Sequence, residues 1–431
     1  MLVQDMTGKF SRLFSTGQEK SELFMVRRWS FIVTTIIVWH LCSFVTLAQN
    51  KKPEQMRWFP PSPLEMTTPD PLVRSSWKKQ PLTTDELQQL KTALDELNQE
   101  AITTFQRGDK TAAFDIWNRE LRLLRFLGSL AQVQALSRVG AIAWQENERE
   151  QVMYITQRLQ EIEKQMLKEK STDLQLWRSL GEAYQNVRIP KLAVGAYEQI
   201  LTLVRQQKDV NTELATLNTL GELHLSWFDY SQAAKTYEEL LNLAINRGDR
   251  NNELAYLQQL AYIYEQGKQP RQAINVLNKL AAIYNRNKNL TQVPALKIKI
   301  AENYQSLVRE NPNFLQEAFN NYQEAYVTAW KLEQYVAASE ALQKLIRLYR
   351  SQNQINEALQ ASRILLETET LATNFYGLMQ AYDQMGEMYL EKKEEGKALA
   401  AFEKGLEIAR QLKHQEIYFA QKIETLSKKN L

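Results

Sequence analysis

Three histidines (His40, His224 and His414) and one cysteine (Cys42) are the residues from which a catalytic base, a metal site or a thiolate nucleophile would have to be made. They lie far apart along 431 residues. His224 falls at an apolar phase of a helical pattern, the place of a packed side chain. Cys42 sits inside an apolar run, and a chain processed after that run carries no thiol, so disulfides, thiolate metal sites and cysteine nucleophiles drop out together. No phosphate loop, dinucleotide fingerprint, His-Glu-x-x-His pair or Gly-x-Ser-x-Gly elbow occurs. The carboxylate pairs Glu238-Glu239 and Glu394-Glu395 occupy solvent phases or turns, not sites where acid and base would be held apart. The sequence therefore reads as no enzyme, with no catalytic residue, no cofactor and no metal.

The charge balance narrows the partners. Lys and Arg number 53 against 50 Asp and Glu, a net charge of +3 with no long block of one sign, which lacks the basic stripe of a nucleic-acid binder. Apolar residues make up 44%, and glycine (14) and proline (11) are scarce, a composition that favours helix.

The first part of the chain reads as an address. Phe31 to Ala48 is apolar, follows Arg27-Arg28, and ends on Thr46-Leu47-Ala48 before a polar stretch. Residues 25–48 are expected to be a cleaved signal peptide or an uncleaved membrane anchor, since 18 helical residues span roughly 27 Å. Either way the body that follows is expected to be exported: periplasmic, lumenal or extracellular. Residues 1–24 are an extension ahead of Met25, the expected true start, or a cytoplasmic segment. Leu41 before Cys42 does not suit lipidation. Seven of the prolines fall between Pro53 and Pro81, which marks residues 49–83 as a linker of extended chain. Its aromatics, Trp58, Phe59 and Trp77, are expected to pack on the first folded element.

From about residue 84 apolar residues recur at helical spacing. The set Trp177, Leu180, Gly181, Tyr184, Ala193, Tyr197 returns as Leu217, Leu220, Gly221, His224, Ala233, Tyr237. It returns again as Leu257, Leu260, Ala261, Tyr264, Ala273, Leu277 and as Tyr382, Met385, Gly386, Tyr389, Ala398, Phe402. With the small residue as marker, the series is Ala101, Gly140, Gly181, Gly221, Ala261, Ala301, Ile346 and Gly386, with steps of 39, 41, 40, 40, 40, 45 and 40. A glycine inside a helix costs about 1 kcal/mol relative to alanine, so its return at one phase predicts a close approach of a second helix.

These offsets resemble the tetratricopeptide repeat (TPR), a helix-turn-helix unit that stacks into a solenoid. The resemblance implies an all-α fold: a right-handed α-solenoid of about eight TPR helix-turn-helix repeats over residues 84–412, with a C-terminal capping helix over 413–431. The usual repeat is about 34 residues with a proline closing the second helix. Here Arg205 and Ile245 stand at such positions, so the helices are expected to run on, as in the longer-repeat branch typified by kinesin light chains. The five extra residues between Ala301 and Ile346 are expected in the turn marked by Pro312.

In TPR proteins the first helix of each repeat lines the concave face. Carried over, the resemblance gives as partner-binding residues Arg178, Glu182, Gln185, Asn218, Glu222, Gln258, Tyr262, Glu302, Arg347 and Glu387. Four of these are glutamates at one repeat position, which predicts a preference for a basic or hydrogen-bonding segment. The Lys and Asn clamp of chaperone-tail receptors has no counterpart here. The implied partner is a protein or peptide, with no nucleic acid, and with membrane proximity through the N-terminal segment. The implied function is an exported or membrane-tethered scaffold or adaptor, assisting assembly of a membrane protein complex. The alternative is a regulatory protein that takes a short peptide signal in its groove.

Overall fold

The computed structural model describes residues 62–66, 69–73 and 82–429. The segment 25–48 and the aromatics Trp58, Phe59 and Trp77 lie outside the described residues. Seventeen α-helices and no strand occur among the described residues.

The helices pair in chain order. They are α1 (Thr84–Gln106) with α2 (Lys110–Leu123), α3 (Ser129–Gln145) with α4 (Arg149–Lys168), and α5 (Leu174–Asn186) with α6 (Pro190–Gln207). Next come α7 (Val210–Ser226) with α8 (Tyr230–Arg247), α9 (Arg250–Gln266) with α10 (Pro270–Arg286), and α11 (Val293–Ser306) with α12 (Phe314–Lys331). Then α13 (Tyr335–Ser351) pairs with α14 (Ile355–Leu371) and α15 (Phe375–Glu391) with α16 (Glu395–Leu412), and α17 (Glu416–Lys429) ends the series. The described residues are thus all-α and of solenoid type, with eight helical hairpins and a last single helix. It divides into two compact units, Thr34–Leu240 and Leu241–Leu431, and the division falls within α8.

The turns repeat as strictly as the helices. A left-handed residue closes the preceding helix at Arg188, Lys208, Phe228, Gly248, Lys268 and Lys288, and again at Glu333, Asn353, Thr373, Lys393 and Lys413, a step of twenty residues within each run. At Lys208 the geometry is a Schellman closure: its amide donates to the Arg205 carbonyl at 3.2 Å and the next amide, of Asp209, to Val204 at 2.9 Å. Asp209 then caps α7 by accepting from the Thr212 amide, and Asp249 caps α9 in the same way from Asn252. Lacking a closing proline, α6, α8, α12 and α16 each run to 18 residues. That length is what widens the repeat to forty. The extra residues around Pro312 form the longer turn between α11 and α12, as the sequence predicts.

Packing explains the small-residue series. A Cβ on Gly181 would stand 2.8 Å from the Tyr197 ring, one on Gly221 2.7 Å from Tyr237, and one on Gly386 2.5 Å from Phe402. In each case the ring comes sixteen residues later, from the second helix of the same hairpin. The three glycines are therefore equivalent. The same offset joins Ile346 to Ser362, both buried, so in this hairpin the large residue is on the first helix and the small one on the second.

In the unit Thr34–Leu240, part of the proline-rich segment is docked onto α2. Leu64 and Val73 are buried, Asp70 accepts two bonds from Arg119 at 2.8 and 2.9 Å, and Arg122 donates to the Pro63 carbonyl at 3.1 Å. The Arg119 guanidinium holds the Asp70 carboxyl below its usual range. Proline density alone reads as extended chain; the buried Leu64 and the arginines of α2 are what bind it down.

Candidate partner-binding face

The helical period separates core from surface on every first helix. On α5, Trp177, Leu180, Gly181 and Tyr184 are buried, while Arg178 and Glu182 are exposed one position on. Gln185 is partly buried and donates to the Tyr197 hydroxyl at 3.0 Å. On α7, Glu222 is exposed and Asn218 is half-buried, its amide donating to the Leu214 carbonyl at 2.8 Å. These five residues lie on the first-helix face of the unit Thr34–Leu240. His224, which takes the tyrosine position of α7, is half-buried, and burial lowers its pKa.

In the unit Leu241–Leu431 the same register carries Gln258, Tyr262, Glu302, Arg347 and Glu387. Gln258 donates to the Tyr284 hydroxyl at 2.8 Å, Tyr262 is half exposed, and Arg347 is exposed with its Nε donating to the Gln343 carbonyl at 3.3 Å. The two glutamates are already engaged. Glu302 pairs with Lys344, and Glu387 pairs with Lys422 of α17 at 2.5 Å. The Lys422 ammonium also stands 5.5 Å from the Tyr418 ring, whose hydroxyl donates to Asp383 at 3.0 Å. Thus α17, whose Phe419 packs against Gly405 of α16, reaches the first helix of the last hairpin through Lys422 and Tyr418. A cavity of about 760 Å³, lined by Leu390, Lys393, Tyr418 and Lys422 among others, remains beside it.

These lysines were not among the residues singled out in the sequence, yet a signal for them exists. Two residues before the small-residue marker, a cation reaches back to the preceding hairpin: Arg138 to Asn98, Lys299 to Glu265 at 2.7 Å, and Lys344 to Glu302. Thr219 and Gln259 stand at that position in the hairpins following Glu182 and Glu222. Neither glutamate has an ion pair with any described residue. The acidic series is thus two different things: exposed charge at Glu182 and Glu222, and neutralised charge at Glu302 and Glu387.

A second polar cluster lies on the first hairpin. Asn98 accepts from the Trp117 indole at 3.1 Å, and Arg138 donates to Glu120 at 2.7 Å. Glu120 is buried, and burial raises its pKa against the opposing pull of Arg138. No group of His, Cys, Asp and Glu suited to a metal occurs among the described residues.

Residues 380–412 match the tetratricopeptide repeat family model. No curated protein matches the chain. Among solved structures, the chain is similar to BtubC (BKLC) from P. vanneervenii, at 18% identity over 51% of this chain and 91% of that one, with a TM-score of 0.35. It is similar to a Rap protein complexed with competence and sporulation factor, at 12% identity over 78% of this chain and 98% of that one, TM-score 0.29. It is also similar to the signal transduction ATPase PH0952 from Pyrococcus horikoshii, which has a tetratricopeptide repeat sensor, at 16% identity over 74% of this chain and 45% of that one, TM-score 0.31.

Proposed function

This chain carries tetratricopeptide repeats, and we propose that it is an exported or membrane-tethered scaffold that holds a basic segment of a protein partner against Glu182 and Glu222. The repeat fold is one of protein-protein interaction; the partner chemistry, the export and the role in assembling a membrane complex are the proposal. One observation carries it: Glu182 and Glu222 are exposed without an ion pair to any described residue, where Glu302 and Glu387 have one. Two exposed carboxylates at one repeat position attract a cationic segment and favour one register of it. Arg178 and Gln185 on the same helix supply a bidentate donor and an amide for the segment's backbone and acidic neighbours.

Export rests on the order of charge, apolar run and small residues over 25–48. Among the described residues no helix is long and apolar enough to cross a membrane; the proposed tether is the apolar run within 25–48. The test is a photo-crosslinker at Asn218, on the helix of Glu222, activated in native membranes. The reading expects a covalent product with a large protein. Recovery of a short peptide only, or of no product, overturns it.

A further inference from the structure

In the unit Leu241–Leu431, ten large apolar side chains are markedly exposed, and eight of them lie at the ends of helices where one hairpin passes to the next. Ile245 is in the last turn of α8, Leu290 precedes α11, and Val336, 72% exposed, opens α13. Leu371, Phe375 and Tyr376 flank the turn between α14 and α15, and Leu412 and Ile417 that between α16 and α17. Only Tyr262 and Tyr418 lie elsewhere.

These turns form one edge, because in a row of antiparallel hairpins every second turn faces the same way. Two contacts tie neighbouring turns together: Gln334 donates to the Thr291 carbonyl at 3.2 Å, and the Tyr376 and His414 rings stand 5.6 Å apart. The same edge carries Arg247, Arg250, Arg286, Lys288, Lys331 and Lys413, and none of them makes an ion pair with a described residue. Its acidic residues are Asp249, which caps α9, Glu253 in the first turn of α9, the buried Glu369, Glu333 and Glu416. The opposite edge of this unit is unlike it. There no large apolar side chain is markedly exposed, and Arg271 is paired with Glu310, Arg350 with Glu391, and Lys392 and Lys397 with Glu394, while Lys268, Arg309 and Lys393 make no ion pair with a described residue.

Cations at helix C-termini complement the helix dipole, which accounts for part of the charge. It does not account for Val336, Phe375 or Ile417, each of which opens a helix with an apolar side chain in water. We infer that this edge lies on an anionic lipid surface, with the apolar side chains at the turns entering the interface and the adjoining cations facing the headgroups. A protein partner would call for one contiguous apolar patch inside a polar rim. Here the apolar tips are separate, one or a few per turn, with polar residues and cations between them. Each can enter a fluid interface on its own, while each cation adds its own attraction to anionic lipid. This does not depend on the face proposed for the protein partner, which lies in the other unit.

The test uses the full chain with Cys42→Ser and an environment-sensitive fluorophore on Val336→Cys, on Phe375→Cys or, at the opposite edge, on Asn353→Cys. Vesicles of phosphatidylglycerol and phosphatidylcholine should blue-shift the probe at Val336 and Phe375 and leave it unshifted at Asn353. Phosphatidylcholine alone, or raised salt, should abolish the shift. In the Val336→Cys background, Lys288→Glu with Lys331→Glu and Lys413→Glu should lower partitioning by about fivefold per cation or more, roughly a hundredfold together. Equal shifts at the two edges, or no shift at Val336 and Phe375, would overturn the inference. So would the same shift on adding polyglutamate in place of vesicles, which would mark the edge as a reader of acidic polymer. Unchanged helical circular dichroism of the triple variant separates lost binding from lost fold.

Discussion

The Tyr237 ring occupies the space that a β-carbon on Gly221 would need, with its Cε2 atom 2.7 Å from that point. The same relation holds for Gly181 with Tyr197 and Gly386 with Phe402, so one steric rule sets the distance between the two helices of these hairpins. Gly221→Leu should destabilise the protein by about 1–3 kcal/mol or more, because an aromatic ring held by its own helix cannot yield. Gly195 is the internal control: it is also within a helix, with nothing within 4 Å of a Cβ. Gly195→Ala should stabilise by about 0.5–1 kcal/mol. Thermal unfolding of both variants checks the opposite signs.

The pair Ile346 and Ser362 reverses that rule. Ser362→Phe alone puts two large side chains into one space and should cost about 1–3 kcal/mol. Ile346→Gly alone leaves a cavity and a helical glycine, together about 3 kcal/mol or more. The double variant restores the arrangement of the other hairpins, so its loss should fall short of the sum by over about 1 kcal/mol in a double-mutant cycle. Additive losses would show that the two residues do not share a site.

Phe228 is held at φ 60° and is 75% exposed, in the position that Gly248 takes one turn later. A left-handed non-glycine residue costs about 1–2 kcal/mol, and glycine returns part of that gain through its freer unfolded chain. Phe228→Gly should therefore raise stability by about 0.5–1 kcal/mol. A falling melting temperature would mean that the ring's contact with Tyr230, at 6.4 Å between centroids, matters more than the backbone.

Burial holds the Glu120 carboxyl above its ordinary value of 4.5, so the folded protein binds this proton more tightly than the unfolded chain. The linked stability is fully present below the unfolded pKa and is lost as pH rises through the folded one. Comparing the parent with Glu120→Gln by denaturant unfolding, the parent should gain on the variant as pH falls from neutral towards 4.5. A constant difference across that range would show that the carboxyl titrates as it would in water.

Much of the fold was legible because it is a packing problem repeated at one phase. Gly181, Gly221 and Gly386 announce the close approach, and the apolar positions around them announce the two faces of each helix. Ile346 breaks the run of small residues in the sequence, because its counterpart, Ser362, lies on the other helix and only the hairpin brings them together. The candidate face was legible as a register and not as a charge state. Glu302 and Glu387 carry the same residue type as Glu182 and Glu222, but Lys344 and Lys422 reach them from the next helix pair or the last helix, and that pairing is set by stacking. The docking of Leu64 and Asp70 on α2 was hidden for a related reason, since its arginines are some fifty residues away in sequence.

The most direct measurement of the proposed function compares partner capture by charge variants in native membranes. Glu182→Arg with Glu222→Arg should weaken capture by about tenfold or more, because like charges across a contact cost several kcal/mol. Glu302→Gln with Glu387→Gln, which removes carboxylates already paired to lysine, should leave capture within about twofold, as expected of residues outside the contact. Undiminished capture by the first pair, or a greater loss with the second, would contradict the account.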